Sequence, residues 1–189
     1  MAILEVLQFP DPRLRRKAEP VEKITDELRQ LAADMLETMY AEPGIGLAAP
    51  QIGTALRLVV LDTEWTEEGA ERKPRVLVNP EIREREGQIV WNEGCLSVPD
   101  FNAEVERSER VVLQAVDLDG NAITEEATGL RAVCFQHELD HLDGVLFIDR
   151  VSRLKRELYV QKRKKAAREE GAAWPASGER PPRLPGTRL

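Results

Sequence analysis

The residues best suited to chemistry lie in one short run, His137-Glu138-Leu139-Asp140-His141. On a helix, positions i and i+4 share a face, so both imidazoles can reach one metal ion while Glu138, one residue on, sits beside water at that ion. The chain holds 2 histidines in all, and both are in this run. The plainer alternative is a pair of histidines on the surface of a helix. A catalytic metal site also needs a third protein ligand and keeps a fourth position open.

No histidine is left to serve as that third ligand. The candidates are a downstream carboxylate, as in ordinary helical metalloproteases, or a cysteine. Cys95 lies in Glu93-Gly94-Cys95-Leu96-Ser97-Val98-Pro99, directly after a strand candidate, where Gly94 permits close backbone approach. Its thiolate would complete a Cys/His/His set; otherwise it is a buried structural thiol. Cys134, three residues before His137, suits apolar packing better than ligation, because a fourth ligand would close the site. Leu130 and Val133 beside it serve equally well as core or as the lining of an apolar substrate pocket. A disulfide between the two cysteines is disfavoured in a reducing cytoplasm.

A second segment, Gly44-Ile45-Gly46-Leu47-Ala48-Ala49-Pro50-Gln51, lacks the lysine and the glycines of a phosphate-binding loop. The Gln51 amide could donate to a developing oxyanion or bond its own backbone.

These groups need elements to position them. The run 24–42, with Leu28, Leu31, Met35, Leu36 and Met39 at three- and four-residue steps behind Thr25, reads as an amphipathic helix ending at Pro43-Gly44. A glycine- and alanine-rich loop at 44–53 leads into a strand at 56–62. Further strands are expected at 75–80, 87–92, 103–107, 111–118 and 121–127, the last two joined by Asp119-Gly120 as a hairpin. Residues 130–142 change to a helical period and carry the two histidines; Gly144 ends them. Residues 154–170 have high helix propensity. Short strands without regular strand–helix alternation predict an α+β fold, mostly antiparallel sheets packed around a central HExxH-bearing helix, with a C-terminal helix.

Composition bounds the rest. At 189 residues with 42% hydrophobic and 32% charged side chains, the chain can bury one sizeable core, which excludes wholesale disorder and collagen-like classes. No apolar run approaches the ~20 residues of a membrane span, and the N-terminus meets Pro and Asp before a secretory core can form, so a cytoplasmic location is expected. Residues 1–149 carry 15 Lys/Arg against 30 Asp/Glu, whereas 150–168 carry 9 against 1. An acidic body with a basic helix suggests an anionic partner for that helix, a solvated face being the alternative.

Taken in series, three segments resemble the peptide deformylase family, whose members remove the formyl group from the initiator methionine of new bacterial proteins. The family's motifs G-x-G-L-A-A-x-Q, E-G-C-L-S and H-E-x-x-H match GIGLAAPQ (44–51), EGCLS (93–97) and HELDH (137–141) in order, and the likeness runs from about residue 3 to 165. The resemblance implies a catalytic domain over 1–170, which here includes the basic helix 154–170, whereas the Pro-, Gly- and Arg-rich composition of 171–189 predicts a disordered tail. It implies that Cys95, His137 and His141 bind one divalent metal, typically Fe²⁺, with Zn²⁺, Ni²⁺ or Co²⁺ able to occupy the same site. Glu138 would act as general base and acid, and the Gln51 amide and the Leu96 backbone N–H would stabilise the oxyanion, an arrangement commonly worth ~3 kcal/mol per donor.

The same resemblance implies that backbone around Ile45, Gly46 and Gly94 pairs with an extended N-formyl-methionyl nascent peptide, while Ile45, Leu130, Val133 and Cys134 accept the methionine side chain. The basic helix within 150–168 resembles one that some bacterial deformylases dock on the ribosome; no membrane or DNA partner is expected. Two features depart from the family. Many members carry an arginine where this chain has Asn102, and the family does not predict the tail from Gly171 onward. A zinc peptidase independent of Cys95, and a deformylase-like module without catalysis, are the rival readings.

Overall fold

A computed structural model of the chain describes residues 2–65, 71–169, 171 and 173–175. Helix α1 (Asp26–Ala41) starts where expected. The Thr25 hydroxyl accepts the Leu28 N–H at 3.3 Å, and Asp26 and Glu27 place negative charge in the first turn, where the helix dipole favours it. Its stripe of Leu28, Ala32, Met35 and Met39 is buried.

Among the described residues seven strands follow: β1 (Gly46–Ala48), β2 (Leu58–Leu61), β3 (Arg75–Glu86), β4 (Ile89–Cys95), β5 (Val98–Arg107), β6 (Arg110–Val116) and β7 (Ala122–Thr128). Five form a sheet in the order β1-β2-β3-β6-β7, and β4 and β5 pair separately; every pairing is antiparallel. The period of two along β2 divides the core. Leu58 and Val60 join Val78 against α1, while Val59 and Leu61 join Leu77, Val111 and Leu113 against Ala132, Phe135 and Leu139 of helix α2 (Gly129–Leu142). The sheet is therefore covered on both faces, which explains why β2 is an unbroken apolar run. Full burial of each Val or Leu contributes about 1.5–3 kcal/mol.

Three local readings of the sequence are corrected. The segment taken as a loop at 44–53 contains β1, which pairs Gly46 with Leu61 and Ala48 with Val59, and a 3-10 turn at Ala49–Ile52. The strand expected to stop at Pro80 continues to Glu86. The register to β6 shifts between Val78 and Glu81, with Asn79 at φ 51°, so the proline falls where no ladder bond is required of it. Asn79 braces the irregularity by accepting from Val21 N–H at 2.8 Å and donating to Val21 C=O at 2.9 Å. Lastly, β5 begins at Val98 rather than at Ala103.

Helix α2 ends at Gly144, whose φ is 72° and whose missing Cβ would lie 2.5 Å from the Arg15 carbonyl oxygen. Glycine is required there by backbone sign and by space alike. The hairpin of β4 and β5 closes a third apolar cluster with Phe9, Leu14, Phe147 and Ile148. Helix α3 (Arg153–Glu169) docks on that cluster through buried Tyr159 and leaves Leu154 and Leu158 exposed. Trp174 packs edge-on against Phe9 with ring centroids 6.0 Å apart; of the tail expected to be disordered from residue 171, residues 172 and 176–189 lie outside the described residues.

Candidate active site

The second half of α2 is buried almost completely, with the sheet packed on it and the β4–β5 hairpin joined to it through Glu93–His137 and Arg107–Asp140 bonds. His141 is 1% exposed and Glu138 4%. Cys95 arrives from the end of β4. Its Sγ lies 3.3 Å from His141 Nε2, which is itself 3.3 Å from His137 Nε2. Among the described residues, Cys95, His137 and His141 form the group of three metal-capable side chains whose ligand atoms converge, all within 4.8 Å of one another. A tetrahedral ion with bonds of about 2.0–2.3 Å spaces its ligands by about 3.3–3.7 Å, so this donor set fits a divalent cation. Among the described residues no carboxylate joins the group.

The two imidazoles are prepared differently. His137 Nδ1 is 2.8 Å from Glu93 Oε2; a carboxylate only accepts, so Nδ1 is the donor, and Nε2 is the nitrogen that can bind a metal once it gives up its own proton. Burial alone would push His137 down, but its hydrogen bonds with Cys95 and Glu93 outweigh it and raise its pKa. Burial, with the positive charges of His137 and Arg107, drives His141 well below its usual value and keeps it neutral. Glu93 is likewise opposed by burial, and its bonds to Arg107 and His137 win, taking it down to about 2.

Glu138 lies against β1. A Cβ on Gly46 would come 2.4 Å from Glu138 Oε1, so the absent side chain makes room for the carboxylate. Its other oxygen, Oε2, is buried without a hydrogen-bond partner among the described residues. Burial raises the carboxyl to about 7. A dication in the adjoining donor set would favour its ionised form.

Gln51 stands at the end of β1's turn. Its Oε1 accepts the Ala48 N–H at 2.8 Å, which turns Nε2 towards Ser97 Oγ at 3.2 Å and Cys95 Sγ at 3.7 Å. Cys134 is a buried thiol that burial pushes far above its ordinary pKa; it stands 3.8 Å from the Ile45 carbonyl. A cleft of about 420 Å³ opens over these groups. Ile45, Gly46, Gly94, Leu96, Leu130, Val133 and Cys134 line it together with Gln51, Cys95, His137 and Glu138, leaving His141 alone beneath its floor. The structure thus brings every sequence-derived candidate to one place. Asn102 is at the rim, where its amide covers the space a Gly94 Cβ would fill.

Sequence reasoning missed Ser97, Arg107 and the cleft wall of Trp91, Asp100 and Phe101. Arg107 had a usable signal. It follows Ala103 and Val105 at a period of two, on the inward face of β5, where an unpaired cation would not be tolerated.

Comparison with known proteins agrees with this geometry. Residues 3–157 match the family described as polypeptide deformylase. A peptide deformylase of Alkalilimnicola ehrlichii is 54% identical over 169 residues, covering 89% of this chain and 93% of the relative. One from Phenylobacterium zucineum is also 54% identical over 169 residues, with 89% and 99% covered. Among solved structures, a peptide deformylase from Legionella pneumophila superposes with a TM-score of 0.81 at 43% identity, covering 91% of this chain and 99% of that one. That of Ehrlichia chaffeensis in complex with actinonin gives 0.82 at 38% identity, with 89% and 99% covered.

Proposed function

The chain belongs to the polypeptide deformylase family, and from that premise we propose that Glu138, Gln51 and Leu96 act on the substrate around a metal ion held by Cys95, His137 and His141. The protein is a metal-dependent hydrolase that removes the N-formyl group from nascent peptides. The observation that carries the residue assignment is the convergence of one sulfur and two Nε2 atoms beside a buried carboxylate and a fixed amide.

A divalent cation held by Cys95, His137 and His141 would supply Lewis acidity and lower the pKa of water in the site. The Glu138 carboxylate accepts a proton from the attacking water, holds it on a buried oxygen, and returns it to the departing amine. Gln51 Nε2, its amide oriented by Ala48 N–H, donates to the oxyanion together with the Leu96 N–H. Backbone at Ile45, Gly46 and Gly94 pairs with the extended peptide, and Ile45, Leu130, Val133 and Cys134 receive the methionine side chain. Main-chain pairing tolerates varied downstream sequence, whereas an apolar pocket selects the first residue.

Fe²⁺ is the proposed metal on the strength of the family resemblance, since Cys and His donors do not separate Fe²⁺ from Zn²⁺ by identity alone. The proposed setting is the cytoplasm, with the exposed Lys155, Lys162, Lys164, Lys165 and Arg168 of the basic helix facing ribosomal RNA rather than DNA. Among the described residues no helix is long and apolar enough to cross a membrane. Ribosome co-sedimentation that weakens with salt and with glutamate at Lys155, Lys162 and Lys165 is the expected result.

The deciding experiment is formate release from a formyl-methionyl tripeptide by anaerobically prepared, Fe²⁺-loaded protein, beside Glu138→Ala. Rapid release abolished in the variant is expected. A variant as fast as the parent would remove Glu138 from the mechanism.

A further inference from the structure

Behind the cleft runs a buried chain of charges that the reaction scheme leaves unused. The Arg107 guanidinium grips Glu93 with two bonds, Nε to Oε1 at 2.6 Å and Nη2 to Oε2 at 2.9 Å, and reaches Asp140 Oδ2 with Nη1 at 2.6 Å. The side chains of Arg107 and Glu93 are 2% and 3% exposed. Asp140 also accepts from Arg150, Nε to Oδ2 at 2.5 Å. One guanidinium therefore ties three elements together: Glu93 on β4, Arg107 itself on β5, and Asp140 on α2, one residue before His141. The Glu93 oxygen that accepts from Arg107 Nη2 also accepts from His137 Nδ1.

We propose that Arg107 is a positioning residue of the metal site, holding Glu93 so that His137 keeps its Nδ1 proton and turns its Nε2 lone pair towards Cys95 and His141. The proposal rests on the metal-site reading above. A planar fork is required: its donors fix Glu93 in orientation as well as in charge, and a lysine at the same place would supply a single point charge. The fork also fixes Glu93 against α2 through Asp140, so the ligand's hydrogen-bond partner and the ligand's helix move as one body.

The test measures metal affinity, not activity, on the full chain. Zn²⁺ competition against a chromophoric chelator and the visible spectrum of the Co²⁺ form are compared for the parent, Arg107→Lys, Arg107→Met and Arg15→Met. Arg15 forms a comparably buried pair with Asp149, at 9% and 0% exposure, and donates to the Gly144 carbonyl just past the end of α2. Both Arg107 variants are expected to bind metal about 10- to 100-fold more weakly and to show a changed Co²⁺ spectrum, with Arg15→Met staying within about twofold of the parent despite a lower melting temperature. A folded Arg107→Lys with parental affinity and spectrum overturns the proposal, as does an equal loss in Arg15→Met, which would mean general loosening. Where Arg107→Met does not fold, Arg107→Lys decides. A parent chain that binds no Co²⁺ would overturn the metal-site reading instead.

Discussion

Two hairpins of the same architecture do opposite jobs in this protein. The β6–β7 hairpin runs in unbroken register through seven pairs, from Arg110 opposite Thr128 to Val116 opposite Ala122, and turns at Asp119-Gly120. The β4–β5 hairpin keeps register only from Ile89 opposite Arg107 to Glu93 opposite Ala103; the next pair is Cys95 with Val98. Two steps on β4 are thus matched by five on β5, and the four intervening residues Pro99, Asp100, Phe101 and Asn102 all line the cleft. A regular ladder uses up its backbone groups in pairing, whereas an interrupted one frees backbone and re-aims side chains. The ion pairs follow the same division. Arg110 meets Glu86 and Glu126 in the open, while Arg107 meets Glu93 out of contact with water.

The contrast can be broken most decisively through activity. Glu138→Ala is expected to lower formate release by about 10²- to 10⁴-fold with the fold retained, whereas Glu126→Ala on β7 leaves turnover unchanged. Steady-state kinetics with circular dichroism as the fold control would measure both. Equal losses would mean that the regular hairpin also belongs to the chemistry.

Acid is the next lever. Glu93 has its pKa lowered from 4.5 to about 2, so its contribution to stability is complete above pH 4.5 and is lost as pH falls towards 2. The loss across that window is about 3 kcal/mol. Urea unfolding of the metal-free chain at a series of pH values should show it, and Glu93→Gln should flatten that part of the profile.

Smaller effects separate the two hairpins' glycines. At Gly94 an added Cβ meets only the tip of Asn102, 2.6 Å away and free to swing outward. Gly94→Ala is therefore expected to raise KM about tenfold, by narrowing the cleft, at little cost in stability. Gly120 has open space but a φ of 86°, so Gly120→Ala should cost about 1 kcal/mol and leave KM and kcat alone. The smallest effect is reserved for Arg110→Met, whose exposed ion pairs are screened by solvent and should barely shift the melting temperature.

Much of the site was legible in the chain because its parts are local. His137, Glu138 and His141 are spaced by one helical turn, and helical spacing alone puts them together. Thr25 announced α1, and Asp119-Gly120 announced its hairpin, each by chemistry acting within a few residues. Even β2 was readable, since a strand buried on both faces is apolar throughout.

What sequence could not supply was the meeting of distant residues. Whether Cys95 or a downstream carboxylate stands beside the histidines depends on how the β4–β5 hairpin lies over α2, and that depends on the packing of Phe9, Phe147 and their neighbours beneath it. The extension of β3 past Pro80 likewise depends on Asn79 reaching back to Val21, 58 residues away. Arg107 is the plainest case. A lone arginine on an apolar strand face signals a buried partner, but the tertiary fold alone decides that the partners are Glu93 and Asp140, because a buried charge is stable only where opposite charges are brought to it from other elements.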